Sequence, residues 1–346
     1  MKRPVNIAID NGYYDHKVAY WDGDTIKTFK YPAIIGSDHE AMNSFDGKLV
    51  GMYESDGVRL VVDPTVIGKI PLRFEEYGSS RENRVLVGHG LHKVGIRDAQ
   101  EVHLTTALPF RDFYNTDGSL NRRLIDAQKT NMTQPVSLVT ARDVPGKRIA
   151  TVSQSRVMSE GVAAVIDHLV RDSSGVVRQM RAPIAVLDFG GSTFDVVTVM
   201  PSMNIRQSSS DTMKRGTYDI RQNFEPMLVQ YLQEMGVKIK HAPSWMVTEA
   251  FEKGYIEIPT SSGDEDPRVI PVTKLIEEAA KPTVNEVKKF VQQKLPNMAE
   301  YEAVILCGGG GLLCESLFED WKDEYNLLVK DEFANVRGML KMGLIA

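Results

Sequence analysis

The chain has only two cysteines among 346 residues, Cys307 and Cys314, and neither has a second Cys or a His at metal-ligand spacing. That excludes a disulfide scaffold and a structural zinc site, and leaves both as small buried apolar side chains. No apolar run reaches the roughly 18 residues a membrane-spanning helix needs. The opening MKRPVNIAID has two basic residues, but its apolar stretch is too short for a secretory leader and ends in an aspartate. The expectation is a cytoplasmic protein with no membrane partner. Clustered positive charge is also missing: the formal net charge is −5, which argues against direct nucleic-acid binding. Absent too are a G-x-x-x-x-G-K-S/T phosphate loop, a G-x-G-x-x-G opening a βαβ unit, a G-x-S-x-G elbow and an H-E-x-x-H.

What is present is an ordinary globular composition, 42% hydrophobic and 25% charged, in a chain long enough for one large or two medium domains. Strand-like and helix-like segments alternate, predicting an α/β architecture. VNIAIDNGYYDHKVAYWDGDTIKTFKYP reads as two strands around a turn and then a third. Residues 31–100 hold short strand-like runs (GKLVGMYES, RLVVDP, RVLVGHG) that predict a small β-rich module. EVHLTTALPF reads as a strand ending at Pro109. SEGVAAVIDHLV places Val162, Val165, Ile166, Leu169 and Val170 on one helical face, with Ser159 as cap and Glu160 in the first turn. Helices are also predicted over 216–235 and 273–295, the latter broken or kinked at Pro282, with a polar surface loop, SGDEDPR, between them.

One long-period repeat stands out. Laying IAIDNGYYDHKVAY over AVLDFGGSTFDVVTV aligns Asp10 with Asp188 and Gly12 with Gly190. Seven positions after each aspartate, Lys17 falls against Asp195. The copies begin about half a chain apart, which suggests two similar domains facing one another. Each hairpin is open to two readings: a tight turn that uses glycine for positive φ, or a loop whose backbone N–H groups wrap a phosphate. Opposed across a cleft, the two would offer one carboxylate each to a Mg²⁺ ion, which favours one or two carboxylates with waters and substrate phosphates. Lys17 would add a point charge. A third piece, AVILCGGGGLLCESL, is a buried strand that ends in four glycines and resumes as a helix. Both flanks are apolar, so the glycines point to close main-chain approach to a flat ligand.

These three segments resemble the phosphate 1, phosphate 2 and adenosine motifs of the actin-like ATPase superfamily. VHLTTALPFRDFYNTDGSLNRRLIDA, RVMSEGVAAVIDHL and EFANVRGMLKMG are similar to stretches of the plasmid-partition actins, the ParM or StbA family. The resemblance implies an actin-like fold, with two similar domains built on duplicated ribonuclease H-like sheets around a nucleotide cleft. It implies domain I at 1–158 plus 329–346, with its small subdomain at about 31–100, and domain II at 159–328, with a subdomain at about 210–295. The implied ligands are ATP or GTP with Mg²⁺. Asp10, Asn11, Gly12, Tyr13, Tyr14 and Lys17 fall on the first phosphate loop, and Asp188, Gly190, Gly191, Ser192 and Thr193 on the second. Asp10 and Asp188 would hold the metal through water, and Glu160 matches the glutamate that orients the attacking water. Gly308, Gly309 and Gly310 match the adenosine motif, Gly216 opens a further nucleotide-side loop, and Glu249 and Lys253 lie on the helix beside adenine. Tyr13 and Tyr14 depart from the Ser or Thr usual at the first loop, which leaves phosphate contact there to backbone N–H groups. The implied activity is ATP hydrolysis coupled to a dynamically unstable head-to-tail filament that segregates plasmid DNA. Its implied partner is a DNA-binding adaptor on a centromere-like site. A small-molecule kinase of the same superfamily and a weakly hydrolysing nucleotide-binding scaffold are the alternatives.

Overall fold

The alternation of Val5, Ile7 and Ile9 with a return strand rich in β-branched and aromatic residues favours a hairpin, and the computed structural model shows one. The structure describes residues 4–171, 173–258 and 266–345. Strands β1 (Val5–Asn11), β2 (Asp15–Asp22) and β3 (Thr25–Pro32) run antiparallel in sequence. Strands β4 (Gln100–Leu108) and β5 (Ala150–Ser159) add in parallel beyond β1, giving the order β5-β4-β1-β2-β3.

The second sheet repeats this plan. Strands β6 (Ile184–Phe189), β7 (Phe194–Val199) and β8 (Asp211–Met213) are antiparallel neighbours. Strands β9 (Ala303–Cys307) and β10 (Leu327–Val329) lie parallel beyond β6, giving β8-β7-β6-β9-β10. The correspondence extends to register: Asp10 pairs with Lys17 in the first hairpin, and Asp188 pairs with Asp195 in the second. The long-period repeat is therefore a repeat of topology. β6 and β7 are buried along their whole length, as strands covered on both faces must be.

Helices flank the sheets: α1 (Arg81–Val94), α2 (Arg122–Thr133), α3 (Val162–Leu169), α4 (Thr217–Glu234), α5 (Ser244–Lys253), α6 (Thr273–Lys294), the short α7 (Gly309–Leu313) and α8 (Ala334–Ile345). α3 packs on α8 between the sheets. A smaller five-stranded sheet covers the first half, taking Ile35–Ser37, Met52–Ser55 and Val58–Val62 together with Ser137–Leu138 and Lys147–Arg148.

Four local expectations are corrected. RVLVGHG is not a strand but the middle of α1, which Ser80 caps by accepting from the Asn83 N–H. Its apolar run misled because nearly every residue there is buried, with Gly88 lying against Val136 and Gly90 against Tyr31. Ser159 does not cap a helix: its pairing with Leu108 keeps it in β5, and Gly161 begins α3, leaving Glu160 ahead of the first turn. Val170 leaves the helix to pair with Val177. Pro282 does not break α6, which runs through it. The polar loop at 262–268 lies mostly outside the described residues.

His16, on β2, is fully buried, with Nε2 2.8 Å from the Tyr77 hydroxyl and Nδ1 3.3 Å from that of Tyr31. Burial, with a smaller contribution from His89, pushes its pKa down to about 3. The folded chain thus holds a neutral imidazole that the unfolded chain would protonate below about 6.5. Its contribution to stability is present above that pH and is lost as pH falls. Lowering pH from 7.5 to 5 is expected to cost about 2 kcal/mol through His16 alone. Urea denaturation of the wild type and His16→Gln at the two pH values checks this: equal pH dependence would exclude His16 as the cause.

Candidate functional site

Both hairpins end at one place between the sheets. Asp10, near the end of β1, is 5% exposed and lies 3.7 Å from Lys17 Nζ. Asn11 turns its Oδ1 to accept from the Ala107 N–H at 3.0 Å, tying the first loop to β4. Across the gap, Asp188 is 4% exposed and accepts from Asn335 Nδ2. The Gly190 N–H donates to the Thr193 carbonyl at 2.9 Å, closing the second loop. A Cβ on Gly191 would fall 2.8 Å from Tyr14 Cβ, so the two loops meet directly.

Asp10, Asn11, Gly12, Tyr13, Tyr14 and Lys17 line an inner cavity of about 90 Å³. Gly190, Gly191, Ser192 and Thr193 line its other side, and Glu160, Asp188 and Gly309 also face it. It adjoins an outer cavity of about 1720 Å³ that shares Tyr14, Ser192, Thr217 and Gly309 with it and carries Glu249 and Lys253 on its wall. Those two pair at 2.8 Å. The outer space has ample room for a nucleoside, while the inner one is on the scale of a phosphate and a few waters.

Three sequence-predicted residues lie elsewhere. Gly216 lies behind the second loop, where a Cβ would come within 2.4 Å of the Gly191 carbonyl, so glycine is needed for two main chains to touch. Gly308 has φ +84°, and a Cβ would meet the Phe189 carbonyl at 2.4 Å and Asp188 Oδ1 at 2.7 Å. Gly310 faces the Phe189 ring. Within the glycine run only Gly309 opens on the cavities, and its neighbours seat α7 against β6.

The electrostatics of the inner cavity are unbalanced. Burial raises the pKa of Asp10 despite Lys17, and burial raises that of Asp188 despite Lys17 and Asn335. Glu160 is raised well above its ordinary value by burial, then by Asp10, Asp188 and Asp195. Asp195 is pushed up to about 7 by burial, although the Thr212 and Thr193 hydroxyls donate to it. Burial opposes the Lys17 charge, but the surrounding carboxylates outweigh it and raise its pKa. The carboxyl groups of Asp10, Asp15, Glu160, Asp188 and Glu332 line the cavity with the single Lys17 ammonium, an excess that favours a further cation, and hard carboxylate oxygens suit Mg²⁺. Among the described residues no group of three or more His, Cys, Asp or Glu is arranged to hold a metal alone. The donor set therefore fits an ion completed by waters and phosphate oxygens, not a protein cage.

Tyr13 stacks near Tyr77, ring centroids 5.0 Å apart, and so belongs to the small-sheet side. The Tyr14 hydroxyl instead accepts from Arg221 on α4. Arg73 sits 4.6 Å over the Tyr218 ring, and Arg111 Nε donates to Asp211 at 2.7 Å, so polar ties cross the cleft at several levels. The sequence reading did not assign Asn335, Glu332 or Thr217 to the cavities. Asn335 had a signal, since it lies in the EFANVRGMLKMG stretch. Nothing local marks Thr217 or Glu332.

Residues 5–171 match the family described as plasmid segregation protein ParM, N-terminal. Over those residues, just under half of its length, the chain is similar to that family. No curated protein matches it by sequence. Among solved structures, the archaeal actin homologue Ta0583 in complex with ADP is 17% identical and superposes with a TM-score of 0.73, covering 99% of this chain and 100% of that one. ParM from a 15-stranded Clostridium botulinum filament is 19% identical, TM-score 0.66, with all of both chains covered. Bacillus thuringiensis ParM with AMPPNP is 14% identical, TM-score 0.65, with 99% of each covered. These likenesses establish the fold of this chain as actin-like, with two similar domains around the cleft that holds both cavities.

Proposed function

We propose that this chain is a member of the ParM family and a Mg²⁺-dependent ATPase whose nucleotide state governs assembly into head-to-tail, dynamically unstable filaments that segregate plasmid DNA. The observation that carries the reading is the convergence of Asp10, Asp188 and Glu160 on one cavity formed by two topologically equivalent hairpins. Relatives of the same fold have been solved with ADP, with AMPPNP and as a filament. In this proposal domain I comprises 1–158 with 329–346 and domain II 159–328, with ATP gripped between them.

Backbone N–H groups of Gly12–Tyr14 and of Gly191–Thr193 would receive phosphate oxygens, and Lys17 would face them as a point charge. Mg²⁺, held by Asp10 and Asp188 through water, would neutralise phosphate charge. Glu160 accepts a hydrogen bond from the attacking water and aligns it with the terminal phosphorus. The new P–O bond forms as the bridging P–O bond breaks and ADP departs. Such catalysis is positioning and charge stabilisation. Because the terminal phosphate would touch both halves, its loss would relax the cleft and the subunit contact. A heterologous, non-closing contact generates a filament. The net charge of −5 suits attachment to DNA through a basic adaptor bound to a centromere-like site.

Right-angle light scattering after addition of ATP and Mg²⁺ tests this. The wild type is expected to give a rise followed by decay. Glu160→Gln is expected to slow phosphate release about 100-fold and to hold the scattering at its plateau. A flat wild-type trace over a wide concentration range would remove the filament reading, and wild-type decay in Glu160→Gln would remove Glu160 from its role.

A further inference from the structure

Asn335 stands in the first turn of α8, 6% exposed, on the wall of the inner cavity. Both ends of its amide are engaged. Nδ2 donates to Asp188 Oδ2, and Oδ1 accepts from the Gly161 N–H at 3.0 Å. The chemistry of the partners fixes this orientation, because a carboxylate only accepts here and a backbone N–H only donates. One side chain thus joins the aspartate of the second hairpin to the turn that carries Glu160.

That turn has little freedom. The Glu160 N–H donates to the Leu108 carbonyl at 2.9 Å, and the Val162 N–H donates to the Glu160 carbonyl at 2.8 Å. Gly161 has φ +73°, and a Cβ there would fall 2.6 Å from Val197 Cγ2. The helix that bears Asn335 is equally held: Lys341 Nζ donates to Asp167 Oδ1 on α3 at 2.8 Å, and Arg337 Nε donates to the same oxygen at 3.2 Å. Asn335 is therefore an anchored strut between two anchored carboxylate bearers.

We propose that Asn335 is a positioning residue for hydrolysis, setting the Asp188 carboxylate and the Glu160 turn in mutual register while its own polar atoms are spent on protein. This rests on the ATPase reading above. No other uncharged side chain reaches both partners with a donor and an acceptor at this length: serine can serve only one of them, and aspartate would set a second carboxylate against Asp188. A misplacement of about 1 Å between such groups lowers turnover by up to about 100-fold without abolishing binding.

The test measures steady-state ATP turnover and AMPPNP affinity for wild type, Asn335→Ala and Asn335→Ser, with thermal melting of each. Asn335→Ala is expected to lower kcat about 30-fold while the AMPPNP Kd stays within about threefold. Asn335→Ser, which keeps one hydroxyl, should fall between, and serves as the readout if alanine prevents folding. Placed in the Glu160→Gln background, Asn335→Ala should cost no more than about threefold further, because both act on one arrangement. A kcat within twofold of wild type, equal losses of kcat and affinity, or full additivity with Glu160→Gln would overturn the proposal and leave the ATPase reading standing. A wild type that binds AMPPNP but turns over no ATP would overturn both.

Discussion

Gly338→Ala is expected to destabilise the protein by about 3 kcal/mol and to lower its melting temperature by roughly 5 °C or more. An ideal Cβ at Gly338 would lie 1.7 Å from the Ala163 carbonyl oxygen and 3.0 Å from the Asp167 nitrogen. Both obstacles are backbone atoms of α3, so no rotamer change relieves the clash and the helices must separate. Separation would also pull on the Asp167 cluster, where Lys330, Arg337 and Lys341 converge on one 3% exposed carboxylate. Gly343, in the same helix, has nothing within 4 Å of its Cβ position. Gly343→Ala is therefore expected to stabilise by up to about 1 kcal/mol, through helix propensity alone. Thermal melts of the two variants side by side separate packing from propensity. A Gly338→Ala melt within about 1 °C of wild type would refute the helix-crossing account.

Asp188→Asn is expected to reduce ATP turnover about 100- to 1000-fold while making the protein no less stable at pH 8. Asparagine keeps an oxygen to accept the Asn335 N–H and nearly the same volume, so the hairpin should hold. What disappears is a charge. Burial raises the pKa of Asp188, and Asp10 raises it further. A carboxyl group with a raised folded pKa stabilises the fold while protonated, and that contribution is lost as pH rises through the folded value. The neutral variant escapes this loss, which begins near the ordinary aspartate value of about 4, so its melting temperature relative to wild type should increase from pH 4 to pH 8. Activity and stability would then move in opposite directions, as at sites where function holds like charges together. Single-turnover phosphate release with parallel melts at the two pH values decides it. Turnover within tenfold of wild type would displace Asp188 from the chemistry.

The parts of this molecule legible in its sequence are those whose signal is local and repeated. Asp10 and Asp188 could be matched because each ends an apolar strand and precedes a glycine loop, and the paired positions Lys17 and Asp195 followed from the strand period. The run Val85-Leu86-Val87 misread as a strand because α1 is buried around most of its circumference, which erases the helical period. Glycines announced close approach without saying to what: Gly309 opens on the cavities, whereas Gly216, Gly308 and Gly310 seat one backbone on another. Asn335 acts on residues 147 and 174 positions away, a relation that no local pattern encodes. The Tyr14–Arg221 tie is of the same kind.

The exchange of Lys17 for Asp195 at equivalent places in the two hairpins has a consequence for the cleft as a whole. A duplicated unit left unchanged would face its twin as an image across an approximate twofold axis, and a ligand could enter either way round with equal energy. Divergence at this one pair puts the Lys17 ammonium on the cavity wall from the first hairpin, whereas Asp195 of the second is 1% exposed and spends its carboxyl group on the Thr193 and Thr212 hydroxyls. The two sides of the gap are therefore unlike, and a ligand entering one way round meets different groups from a ligand entering the other. Copying supplied the socket, and a change at one pair of positions made its two sides different.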